Sequence, residues 1–94
     1  MQVKWFEDAI DDLDALQCYI AQDNEKAAAN IAAKILNSID RLSAQPDMGR
    51  PGRVPDTREL IVSGTPYIIP YRVKHDFIEI LRVYHCAMQW PEMF

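Results

Sequence analysis

TRELIVSG (57–64), YIIPYRVK (67–74) and FIEILRVYH (77–85) follow one another with two residues between each pair, and their reading decides the fold. Each run is rich in β-branched and aromatic side chains, which suit a half-buried pleated surface. Ser63-Gly64-Thr65-Pro66 and Lys74-His75-Asp76 supply turn residues at the junctions, so the three runs read as an antiparallel meander. Strict alternation along the last run puts Ile78, Ile80, Arg82 and Tyr84 on one face. It puts Phe77, Glu79, Leu81, Val83 and His85 on the other. Neither face is purely polar, so both are expected to be at least partly covered. Pro70 cannot donate a ladder hydrogen bond, which predicts a bulge there or an N–H position that faces no neighbour.

Upstream, residues 46–57 hold Pro46, Gly49, Pro51, Gly52 and Pro55 and read as loop. Ahead of that loop, apolar residues recur at helical spacing. Phe6, Ile10, Leu13, Leu16 or Gln17, and Ile20 mark a first amphipathic helix; Ala28, Ile31, Ile35, Ile39 and Leu42 mark a second. Asp23-Asn24 separates them, with Asn24 as the N-cap of the second, and Pro46 ends it. A connection this short makes an antiparallel helical hairpin. Residues 1–4 read as a short strand, and Trp5 as core. The expected fold is a single α+β domain over residues 1–94, in the order β-α-α-β-β-β. A short N-terminal strand and the hairpin pack on one face of a twisted, mainly antiparallel sheet.

The net charge is −4. It divides into −5 over residues 1–48 and +1 over residues 49–94. A protein that works on ribosomal RNA is expected to be basic throughout, because phosphate contacts supply most of the affinity. Here a polyanion contact would be confined to Arg50, Arg53 and Arg58, arginines set in a Gly/Pro-rich loop. Asp11 and Asp12 read as a solvated helix face. Cys18 and Cys86 have no metal-ligand spacing and read as reduced thiols packed like small apolar side chains. No apolar run approaches the ~20 residues of a membrane span, and the N-terminus turns acidic where a leader would be apolar. A cytoplasmic protein with no membrane contact is expected, and with no metal or cofactor.

Arg58-Glu59-Leu60-Ile61-Val62, Tyr71-Arg72-Val73, Ile80-Leu81-Arg82-Val83 and the late pair His85 and Trp90 follow two amphipathic helices. This arrangement resembles the RelE/ParE superfamily, the toxins of bacterial type II toxin–antitoxin pairs, and within it the ParE branch. The resemblance spans nearly the whole chain. It implies a toxin neutralised by a cognate antitoxin that lies across the helices, the sheet edge and the C-terminal tail. Operator DNA would be met only through that antitoxin. In the ParE branch the implied activity is growth inhibition by protein contact with DNA gyrase, without catalysis.

The other branch implies an mRNA endoribonuclease, ribosome-dependent or free. In that case His85 would be the acid/base, with Arg58 and Arg82 on the phosphate, since such cleavage needs a proton acceptor and a cation for the phosphorane charge. One departure bears on this branch: where the ribonucleases carry a phosphate-holding arginine in the middle strand, this chain has Ile68. Candidates for contact with target or antitoxin are Arg50, Arg53, Arg58, Arg72, Arg82, Tyr84 and Trp90. Trp90-Pro91 and Met93-Phe94 make an apolar tail, expected either to dock on the domain itself or to await a partner.

Overall fold

The computed structural model of the chain describes residues 1–87 and 89–94. Its elements are β1 (Gln2–Trp5), α1 (Glu7–Ala21), α2 (Glu25–Ala44), β2 (Arg50–Pro51), β3 (Arg58–Ile61), β4 (Tyr67–Lys74), β5 (Phe77–Ile80) and β6 (Tyr84–His85). α1 opens with Glu7 and Asp8 in its first turn, where the exposed N–H groups favour negative charge. It turns Ala9, Leu13, Leu16 and Ile20 inward, while Ile10 stays 46% exposed. The alanine, and not the isoleucine, therefore marks the inner face. Asn24 caps α2 as its sequence position implies: its Oδ1 accepts the Ala27 N–H at 3.0 Å. Ala28 and Ala32 are buried in α2 beside Ile35, Ile39 and Leu42. No helix among the described residues is long and apolar enough to cross a membrane.

The sheet runs β1-β5-β4-β3-β2, with β6 also paired to β4. All pairs are antiparallel except β1 with β5, which is parallel, Gln2 lying opposite Phe77 and Trp5 opposite Ile80. The hairpin covers one face of the sheet; its side chains and the inward residues Leu60, Val62, Ile69, Tyr71, Ile78, Ile80 and Val83 form one apolar cluster. The opposite face, called outer below, carries the alternate set. The segment expected to be all loop contains β2, two residues held against β3 through Arg50 opposite Glu59 and Pro51 opposite Arg58. Pro51 fits there because an edge strand tolerates a missing donor. Cys18 and Cys86 are free thiols as expected, but both are exposed and not packed.

Pro70 marks the main departure from simple alternation. β4 pairs β5 from Tyr71 opposite Ile80, and β6 from Ile68 opposite Tyr84. Between these pairs lie Ile69 and Pro70 on one strand, but Leu81, Arg82 and Val83 on the other. The extra residue is a bulge, placed where Pro70 has no N–H to offer; the Pro70 carbonyl still accepts the Leu81 N–H at 3.0 Å. An extra residue reverses the faces beyond it. Val83 therefore joins Ile78 and Ile80 in the core, while Tyr84 turns to the outer face with Ile68. The single run 77–85 is thus two strands.

Tyr71, fully buried, ties the sheet to the end of α2. Its hydroxyl donates to the Pro46 carbonyl at 2.7 Å and accepts the Gly49 N–H at 2.9 Å. A Cβ at position 49 would come within 2.6 Å of the Tyr71 ring, so the approach requires glycine. Tyr71→Phe keeps the shape but strands one buried donor and one acceptor. It is expected to cost about 2 kcal/mol and to lower Tm by roughly 8–16 °C in a domain of this size, read by far-UV circular dichroism.

Candidate functional site

The candidate residues lie mainly on the outer face and at the end of β6. β3 alternates so that Leu60 points into the core and Glu59 outward. Glu59 is nevertheless only 2% exposed, because the β2 segment and the loop after it fold over it. A buried carboxylate requires compensation, and three groups supply it. Arg50 Nη2 donates to Oε1 at 3.0 Å, Arg53 Nε donates to Oε2 at 3.2 Å, and the Arg53 backbone N–H donates to Oε2 at 2.7 Å. Burial pushes this carboxyl up, but the Arg53 N–H and the two guanidinium groups outweigh it and leave Glu59 below the usual carboxylate range.

The remaining candidate arginines are likewise engaged within the chain. Arg72 pairs across strands with Glu79 at 2.6 Å, and this hydrogen bond holds Glu79 low. Arg58 turns to the helix side, where its Nη1 donates to the carbonyls of Gly49 at 2.8 Å and Asp47 at 3.3 Å. Arg82 leaves the bulge and reaches α1: its Nε and Nη2 donate to Asp12 Oδ2 and Oδ1 at 2.8 and 2.9 Å. Asp12 also accepts the Val83 N–H at 3.0 Å. It is therefore the anchor of the bulge, and not part of a solvated face as its place beside Asp11 suggests.

His85 stands exposed at the end of β6. Its Nδ1 accepts the Ala87 N–H at 3.1 Å, and its ring meets Tyr67 edge-on at 5.7 Å. The proposed trio of His85, Arg58 and Arg82 is not brought together. His85 lies opposite Tyr67 and Arg58 opposite Tyr71, on the two sides of β4, four residues or about 13 Å apart along it. Ile68, in the place of the ribonucleases' arginine, is buried between Ile61 and Tyr84.

The C-terminal tail docks on the outer face. Trp90 lies under the Arg53 guanidinium, 3.8 Å from its ring centroid, and packs edge-on against Tyr84 at 5.0 Å. Phe94 stacks obliquely on Tyr84 at 6.2 Å. Beside the tail runs a groove of about 680 Å3 walled by Phe6, Leu81, Arg82, Tyr84, Trp90 and Phe94. Trp90 Nε1–H is sealed there with no acceptor among the described residues, a desolvation penalty of about 1–3 kcal/mol. The sequence assigns Glu59 no role of its own and places Asp12 on a solvated helix face. For Glu59 the available signal was an acid inside an apolar strand with arginines nearby, which has to find a cation.

Comparison with known proteins bears directly on this arrangement. Residues 3–90 match the family described as the ParE toxin of the type II toxin–antitoxin system parDE. Y4kP of Sinorhizobium fredii, a toxin homologue, is 44% identical over 92 residues, which is 98% of this chain and 95% of that protein. Toxin RelE2 of Caulobacter vibrioides is 36% identical over 86 residues, 92% of this chain and 96% of that one. A solved structure described as the chromosomal ParDE toxin–antitoxin system from P. aeruginosa superposes with a TM-score of 0.80 at 33% identity, covering 90% of this chain and 95% of that one. The chain belongs to the ParE toxin family of type II toxin–antitoxin systems.

The titration of Glu59 has a definite sign. Its folded value lies below the unfolded one, so its stabilisation is full above the unfolded carboxylate value, about 4.3, and is lost as pH falls through the lower folded value. Glu59→Gln should therefore destabilise by about 2 kcal/mol at pH 7. The difference from the parent should shrink below roughly pH 4, as urea titrations at pH 7 and pH 3 will report.

Proposed function

We propose that this chain is the toxin of a type II toxin–antitoxin module, held inactive by a cognate antitoxin, and that it blocks replication by protein contact with DNA gyrase. It carries out no catalysis of its own. Membership of the ParE toxin family supports the first part. The observation that carries the second is the engagement of the arginines. Base-catalysed RNA cleavage needs a cation free to take the phosphorane charge close to the group that moves the proton. Arg82 is gripped by Asp12 and Arg58 by two backbone carbonyls, while His85 stands apart from Arg58.

Charge supports the same reading. A net charge of −4 gives little long-range attraction for a polyribonucleotide. Protein–protein recognition has no such requirement. The outer face offers large aromatic groups beside half-exposed guanidinium groups, a combination enriched at protein interfaces. Operator DNA is reached through the antitoxin's own DNA-binding part.

Two measurements test this. After induction in a bacterium lacking the antitoxin, thymidine incorporation is expected to stop first and methionine incorporation to lag. Early collapse of methionine incorporation would instead identify a translation-blocking ribonuclease, and unimpaired growth a module that only binds antitoxin. His85→Ala is expected to leave toxicity intact at equal expression. A loss of toxicity in a folded, antitoxin-binding variant would assign His85 the acid/base role.

A further inference from the structure

Six side chains form a continuous chain of contacts across the outer face and onto α1. Glu59 holds Arg53 at 3.2 Å, and the Arg53 guanidinium lies 3.8 Å from the Trp90 centroid. Trp90 meets Tyr84 at 5.0 Å, and the Arg82 guanidinium stands 4.8 Å from the Tyr84 ring centroid. Asp12 closes the chain on Arg82 at 2.8 Å. The order is carboxylate, guanidinium, aromatic, aromatic, guanidinium, carboxylate. Its two ends lie on β3 and α1, and Trp90 is the one member that belongs to the tail.

This order has a physical consequence. A guanidinium stacks best on an aromatic ring when its plane is held, and a bidentate or doubly anchored carboxylate pair holds it. Without Glu59, Arg53, which is about half exposed, is free to turn to water. The Trp90 seat carries its own bias toward opening, because its sealed indole N–H gains a water partner once the ring lifts. Stacking that depends on two carboxylates is thus set against a buried donor that water would satisfy.

We propose that residues 89–94 are a releasable tail clasped by Arg53 and seated on Tyr84, whose ring Arg82 backs, and that Glu59 and Asp12 are the positioning residues that set the clasp. With the clasp closed, Trp90 and Phe94 cover Tyr84. With it open, the Tyr84 ring, only 3% exposed beneath them, is uncovered and extends the groove walled by Phe6 and Leu81. The tail therefore governs access to that ring. Arg72, paired with Glu79 on the same face, stacks on neither Trp90 nor Tyr84 among the described residues: its guanidinium faces Phe6 at 5.5 Å and lines a cleft with Met93 and Phe94.

Native-state hydrogen exchange at low urea, followed by 1H–15N NMR on the purified chain, tests the clasp. The Ile39 backbone amide, buried within α2, reports global opening, which Glu59→Gln itself favours, and the Trp90 indole N–H reports the tail. Glu59→Gln and Asp12→Asn are each expected to speed Trp90 exchange about tenfold, at a rate well above that of Ile39 and nearly independent of urea, as local opening requires. Glu79→Gln is expected to leave Trp90 exchange within about twofold of the parent. Unchanged Trp90 exchange in both clasp variants would overturn the proposal, as would acceleration in only one of them. Equal acceleration in Glu79→Gln would do the same, because it would mark a general loosening of the face.

Discussion

The missing N–H of Pro70 is the constraint around which this sheet is arranged. β4 is the central strand, with β3 on one side and β5 and β6 on the other. At Pro70 one flank has nothing to pair with, and the neighbouring chain spends an extra residue there. That residue sends Arg82 sideways to α1, turns Val83 into the core and brings Tyr84 to the outer face. Without the bulge, alternation would place Tyr84 among the helices and leave Trp90 and Phe94 without an aromatic seat. The position of the tail thus follows from one imino acid in the middle of a strand.

A second requirement comes from charge. Every acid on the outer face with substantial burial is matched by arginine: Glu59 by two, Glu79 by one. These pairs are worth modest amounts where the guanidinium groups reach water, yet they decide where the groups point. The arginines of residues 49–94, the more basic half of the chain, are consequently directed to the chain's own carboxylates and carbonyls. What the face presents outward is planar guanidinium and aromatic surface, with much of its positive charge already answered. Such a surface suits contact with another protein better than the neutralisation of a phosphate backbone.

Membership of the ParE toxin family gives these features a setting. Tyr71 pins the end of α2 to the sheet beneath the helical hairpin, and the loop, bulge and tail carry the arginines and aromatic groups of the outer face. On the outer face, these parts bring together Arg53, Trp90, Tyr84 and Arg82.

Much of this was legible in the chain itself. Helical spacing, the Asn24 cap, the turn residues at 63–66 and 74–76 and the apolar strand runs each act over a few residues, so they determine the helical hairpin and the meander locally. Pro70 announced a disturbance at its own position for the same reason. Other features lay out of reach, because each joins residues distant in sequence. The parallel pairing of β1 with β5 brings Gln2 beside Phe77, and the Asp12–Arg82 pair spans 70 residues. Ile10 gave up the inner face of α1 to Ala9 because close packing against the sheet admits the smaller side chain. The sequence by itself determined the helical hairpin and the three strand runs in their order, because each is set by contacts a few residues apart. Tertiary structure alone decided which arginines remain available, because a guanidinium's partner is set by which carboxylate the folded chain carries to it.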